Sequence, residues 1–168
     1  MAGVLPYAKQ IVNNKTNLYF LFARETLDIK SKSNSKGFWS DFGGSKEKKE
    51  TPIETAIREG YEETSGFFGN PSKLKAQIKK TGKKYVSKRN YNCFFMKVPY
   101  NTNLPNYLEN NYKFIKKTHP HLIHEYNGFY EKDKFAWIEY GDLQKNMYLF
   151  RPFYKDVVHY IIGNKDIF

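Results

Sequence analysis

One segment, Glu50 to Gly66 (ETPIETAIREGYEETSG), constrains this chain more than any other. Thr51 is suited to cap a helix, Pro52 to fill its first position, and Glu54 to close a capping box. Ile53, Ala56, Ile57 and Tyr61 recur at helical spacing as a packing stripe, and Gly66 is a natural stop. On such a helix Glu59, Glu62 and Glu63, at i, i+3 and i+4, project from one face. Like charges so placed destabilise an exposed helix by roughly 0.2–0.5 kcal/mol per pair, and by more when desolvated. The fold must therefore bury the stripe and bring positive charge to the acidic face. Arg58 points to an adjacent face, with Glu50 as its partner. A divalent cation would neutralise the glutamates, because Mg²⁺ takes oxygen ligands and bridges carboxylates to substrate phosphates. That assembly screens phosphate oxygens and activates water for attack at phosphorus.

The rest of the chain reads as a partner for that helix. AGVLPYAKQIV (Ala2–Val12) and LYFLFARE (Leu18–Glu25) are strand-like runs joined by the turn signal NNKTN, so an early hairpin is expected. After a polar loop, TLDIKSKSNSKG, comes the aromatic cluster FWSDFGG. The stretch 75–100 reads as a basic hairpin turning at Thr81–Gly82, with an apolar second half. Asn101 to Glu125 reads as an insertion, helical from Leu104 to about Lys117 and interrupted at Pro120. FAWIEY is a further strand. Phe150, Phe153, Tyr154, Val157, Val158 and Ile161 mark a last helix over about 149–162, as packing residues. Strands, helix, strands, helix in one chain of 168 residues predict a single domain, residues 1–168, of α/β class with a mixed sheet.

Composition narrows the function classes. At 40% hydrophobic and 18% aromatic residues, the chain has the material for a core and is not of disordered type. No apolar run approaches the roughly 18–20 residues that cross a bilayer, and the N-terminal residues lack a secretory pattern, so a cytoplasmic, membrane-free protein is expected. Cys93, the one cysteine, sits in an apolar run and reads as a buried thiol with no disulfide-linked partner. The net charge of +11 points to an anionic partner, a nucleotide or other phosphate-rich molecule, with RNA as an alternative. Because 24 of the 28 basic residues are lysine, that charge is diffuse and poorly suited to reading bases.

Spacing makes the acidic helix specific. Gly44 is followed by five residues, Glu50, seven residues, and then REGYEE. This resembles the box of the Nudix hydrolases, G-x5-E-x7-R-E-U-x-E-E-x-G-U with U a bulky aliphatic residue, across Gly44–Gly66. The resemblance implies an α/β/α sandwich with a mixed sheet, carrying the partly helical insertion at about 101–125. It implies cleavage of a nucleoside diphosphate linked to another moiety. Glu59, Glu62 and Glu63 would then bind Mg²⁺ or Mn²⁺, one of them acting as general base. Arg58 and Glu50 would orient the helix, and the Gly44 carbonyl would be a further ligand. An acidic residue ahead of the Trp137 strand often completes such sites; Glu131 is the first candidate and Glu125 the second. Gly60 replaces the aliphatic U, and Ser65 stands where the late glycine is expected, so an altered helix exit is predicted. A softer similarity is to Nudix proteins of large DNA viruses.

Weaker signals bear on the substrate. Trp39 flanks the loop before the helix and is a candidate for stacking on a base, with Arg24 and Lys84 as candidate phosphate contacts. Lys79, Lys80, Lys83, Lys84, Lys88 and Arg89 would follow an RNA backbone or simply keep a sheet edge soluble. His119, His121 and His124 with Glu125 read as a surface insertion, a lid over substrate, or a zinc site, the last disfavoured by Pro120 and the absence of thiolates. Substrate readings are a small nucleotide or dinucleotide, capped RNA, or a diphosphoinositol phosphate. A reading of another class is an idle Nudix-like module that only binds RNA or a ligand; the intact glutamates speak against it.

Overall fold

β1 (Ala2–Val12) and β2 (Lys15–Glu25) pair antiparallel, as their patterning predicts. Asn13 and Asn14, both at positive φ, make the two-residue turn that suits the twist of the strands. The computed structural model of this protein describes residues 1–27, 36–82, 84–123 and 128–168. Two short strands follow, β3 (Trp39–Ser40) on β2 and β4 (Phe42–Gly44) on β1. The sheet is completed by β5 (Tyr85–Lys88), β6 (Tyr91–Lys97) and β7 (Lys132–Glu139). Its order is β3-β2-β1-β6-β5, with β4 also on β1 and β7 also on β2. β6 runs parallel to β1 and the other pairings between these seven strands are antiparallel, so the sheet is mixed.

Side-chain alternation divides two cores between the faces. Phe20 and Phe22 of β2 and Cys93 and Phe95 of β6 face α4 (Lys155–Gly163), where Val157, Val158 and Ile161 are buried. Leu21 and Ala23, with Phe94 and Met96, face α1 (Pro52–Glu63), α2 (Pro71–Lys80) and α3 (Leu104–Thr118). The result is the expected α/β/α sandwich. No helix among the described residues is long and apolar enough to cross a membrane. Cys93 is buried, and burial pushes its thiol well above the usual range.

Several expectations are corrected. The segment 71–80 is α2, not the first arm of a hairpin: Asn70 caps it, Pro71 opens it, and Leu74 and Ile78 bury one face. The hairpin turn lies instead at Arg89–Asn90, between β5 and β6. Lys79 and Lys80 therefore end a helix, while Lys88 and Arg89 belong to the β5 hairpin. Lys83 lies outside the described residues, as do His124 and Glu125. The last helix begins at Lys155, because Pro152 cannot donate to a helical ladder and residues 147–149 and 152–154 form separate 3₁₀ turns. The insertion is helical from Leu104 as expected and packs on β7. There Tyr112 and Thr26 share a hydroxyl hydrogen bond of 2.7 Å, and Glu109 accepts from the Phe135 amide at 3.3 Å.

Candidate active site

The acidic helix forms as its sequence dictates. The Thr51 hydroxyl accepts from the Glu54 amide, and the Glu54 carboxylate accepts from the Thr51 amide at 2.8 Å. Ala56 and Ile57 are buried against the sheet. Gly60 is the point of closest approach: a Cβ there would lie 2.4 Å from Val4 Cγ1. The helix ends in a Schellman turn, with the Gly66 amide donating to the Tyr61 carbonyl at 2.9 Å and the Ser65 amide to Glu62 at 3.0 Å. Ser65 takes the left-handed position that glycine usually fills, at φ 48°, and Gly66 follows at φ 73°.

Arg58 gathers the glutamates. Its Nε donates to Glu50 Oε1 at 2.8 Å, its Nη1 to Glu62 Oε2 at 2.9 Å, and its Nη2 to the Ser45 carbonyl at 2.9 Å. Glu59 Oε1 lies 3.0 Å from the same Nη2. The Arg58 hydrogen bond holds Glu50 at about 2, well below the usual carboxylate range. The other acids move the opposite way. Burial pushes Glu59 up to about 7, against the pull of Arg58, and burial also raises Glu62, Glu131 and Glu63. Scarce water thus disfavours charge on these carboxyls unless a cation answers it.

β4 and the turn before β7 close the site. β4 pairs with the start of β1 and delivers Gly44 beneath Glu59; a Cβ on Gly44 would lie 2.4 Å from Glu59 Oε1. A Cβ on Gly128 would lie equally close to Glu62 Oε2, and Phe129 packs edge-on against Tyr61. This turn leads into Glu131, whose charge acts on Glu59, Glu62 and Glu63. Glu50, Arg58, Glu59, Glu62, Glu63, Gly44 and Glu131 are therefore brought together.

The three candidate substrate contacts are placed elsewhere. Arg24 is forked onto Asp133 at 2.8 and 2.9 Å. Trp39 packs with the α4-side core. Lys84 reaches the Ile167 carbonyl beside the β5 edge. His119 and His121 are exposed, their rings 6.0 Å apart.

Sequence reasoning missed Lys132, Glu25, Arg151 and Ser40. The Lys132 ammonium contacts Glu25 Oε1 and lies 3.1 Å from Glu63 Oε1, while Arg151 Nη1 donates to Glu25 Oε1 at 3.0 Å. Burial opposes the charge on Lys132, but Glu25 and Glu63 outweigh it and raise its pKa. Nothing local marks these residues; a lysine beside an acid in a loop-to-strand junction ordinarily reads as solvated.

Among the described residues, no three His, Cys, Asp or Glu side chains already form a metal cluster, and Arg58 and Lys132 are ion-paired to Glu62 and Glu63. The donors nonetheless fit a hard divalent cation. All are oxygens, the Glu59 carboxylate lies close against Gly44 where a side chain would displace it, and Glu63 Oε2 is buried with no hydrogen-bond partner among the described residues.

The chain matches no protein-family model. No curated protein matches it either. Among solved structures, it is similar to a C. elegans Ap4A hydrolase in a binary complex, at 13% identity over 99% of this chain and 97% of that one, TM-score 0.49. It is also similar to RenU, a Nudix hydrolase from M. smegmatis, at 11% identity over 98% and 84%, TM-score 0.49. A third is a mutT/nudix family protein from Listeria innocua, at 15% identity over 95% and 86%, TM-score 0.44.

Proposed function

We propose that this chain is a Nudix hydrolase, a metal-dependent pyrophosphohydrolase that cleaves a nucleoside diphosphate linked to another moiety. The observation that carries the reading is the set of Glu59, Glu62 and Glu63 on one helix, Glu59 against Gly44 and Glu63 Oε2 buried with no hydrogen-bond partner among the described residues. Glu59, Glu62 and Glu63, with the Gly44 carbonyl and Glu131, would hold Mg²⁺ or Mn²⁺. Bound there, the cation supplies Lewis acidity toward phosphate oxygens and lowers the pKa of a coordinated water. Arg58 fixes the orientation of Glu59 and Glu62 and ties both to Glu50. One carboxylate of the cluster takes the proton of the attacking water. The new phosphorus–oxygen bond forms as the anhydride bond breaks, and the leaving phosphate departs with the bonding electrons.

A second reading, capped RNA as the substrate, is favoured by one further observation. The outer face of α3 exposes Tyr107 and Phe114 beside Lys113 and Lys117, with +11 on the whole chain. Exposed rings stack on unpaired bases while lysines follow phosphates. The test of both is a panel of nucleoside triphosphates, dinucleoside polyphosphates, ADP-ribose, capped RNA and diphosphoinositol phosphates with Mg²⁺ or Mn²⁺, beside a Glu62→Gln/Glu63→Gln double variant. Turnover of one compound, lost in the variant, is expected. Unchanged turnover in the variant would refute the metal assignment. No turnover by the unaltered protein would favour a binding module, and release of a methylated guanosine diphosphate would select decapping.

A further inference from the structure

We infer that Lys132 is a positioning residue that aims Glu63 into the candidate metal site, an assignment that rests on the hydrolase reading above. The Lys132 side chain is 0% exposed and that of Glu63 1%. Three acceptors surround its ammonium: Glu25 Oε1, Glu63 Oε1 at 3.1 Å and Ser40 Oγ at 3.4 Å. An ammonium has three protons, so each finds an acceptor and none is left to roam.

The sheet builds this contact. Along β2 and β7 the register shifts between Arg24 and Glu25: Arg24 pairs with Lys134, but Glu25 pairs with Lys132. The skipped residue, Asp133, receives the guanidinium of Arg24. The shift sets Lys132 directly across from Glu25, beneath the end of α1. A bulge of this kind re-aims a side chain without breaking the sheet. Arg151 holds Glu25 at 3.0 Å, so two cations and two carboxylates balance in the buried network.

The consequence falls on Glu63. Lys132 holds Oε1, and Oε2 remains buried without a hydrogen-bond partner among the described residues, on a helix whose Glu59 and Glu62 face the same site. A carboxylate gripped by one oxygen has one direction left for its other lone pairs. Outer partners of this kind orient metal ligands, and their loss weakens metal binding or activity by roughly 10- to 100-fold.

The test uses the full chain and Mn²⁺ alone, followed by the electron paramagnetic resonance signal of the free ion. Lys132→Met by itself leaves Glu25 and Glu63 opposed and risks unfolding, so the informative variant is Lys132→Met/Glu25→Gln, which removes one charge of each sign. With its circular dichroism unchanged, it should bind Mn²⁺ roughly 10- to 100-fold more weakly than the unaltered protein. A folded double variant that binds Mn²⁺ as tightly as the parent would overturn the inference. The unaltered protein provides a check that needs no variant. With ¹⁵N-lysine labelling, one ammonium should exchange slowly with solvent and shift when Mg²⁺ saturates the protein. A protected ammonium that ignores Mg²⁺ while the protein binds it would also overturn the inference. Failure of the unaltered protein to bind Mn²⁺ at all would instead strike the hydrolase reading, and this inference with it.

Discussion

Replacing Arg58 with Met tests whether this guanidinium holds the acidic helix together before any metal arrives. The side chain is 22% exposed and touches Glu50, Glu59, Glu62 and the Ser45 carbonyl. Breaking a buried charge pair by removing one partner costs about 3–5 kcal/mol, and partial solvent exposure reduces that figure. A loss of about 3 kcal/mol follows. At about 2–4 °C per kcal/mol for a chain of this size, the melting midpoint should fall by roughly 6–12 °C. The assay is calorimetry in the presence of a chelator. Added Mg²⁺ should then recover part of the loss in the variant, because a cation among the glutamates replaces the missing charge. The pH dependence carries a sign. Glu50 is held at about 2 in the folded chain, against an ordinary 4.5. Its contribution is present above the ordinary value and disappears as pH falls toward 2. The parent and variant curves should therefore converge over that window. A chelated variant that melts within about 1 °C of the parent, or a gap that stays constant through low pH, would refute this reasoning.

Two further outcomes are expected. Gly60→Leu supplies the bulky aliphatic residue of the box pattern that this segment resembles, yet it should destabilise the chain by about 1–3 kcal/mol in urea unfolding, because its Cβ would meet Val4 Cγ1 at 2.4 Å; equal or greater stability would contradict the packing described. Burial raises Asp41 from 3.8 to about 6, against the hydrogen bond that Tyr91 donates to it at 2.5 Å, so its contribution to stability is full below its ordinary value and is lost as pH rises through about 6. Asp41→Asn should flatten that part of the stability–pH profile, and an unchanged slope would exclude Asp41 as its source.

How far the fold could be read in advance depended on whether the signal was local. The β1–β2 hairpin was legible because alternation and an Asn-Asn turn agree over adjacent residues. α2 was not, because six polar or lysine positions hid Leu74 and Ile78, and a basic stretch resembles an edge strand as readily as a helix. Its Asn70-Pro71 opening was the available sign, a cap followed by a residue suited to the first turn. In the sequence, Gly60 stands out only as the position where a bulky aliphatic residue is expected. In the folded chain the missing side chain lets α1 sit close on β1. At the helix exit Ser65 and Gly66 both take positive φ, and the chain leaves the helix through a Schellman turn.

The acidic helix, its cap and the face shared by Glu59, Glu62 and Glu63 follow from the sequence alone, since helical periodicity acts within a few residues of itself. So does the pairing of Arg58 with Glu50, eight residues apart. Only the tertiary structure decides which distant charges answer Glu63. Lys132 stands 107 residues from Glu25 and Arg151 stands 126, and they meet because β7 pairs with β2 and the segment before α4 folds against β3. Long-range electrostatics of this kind leave no local pattern. The charge of a lysine is written in the chain, but its burial, and therefore its strength, depends on which strands close over it.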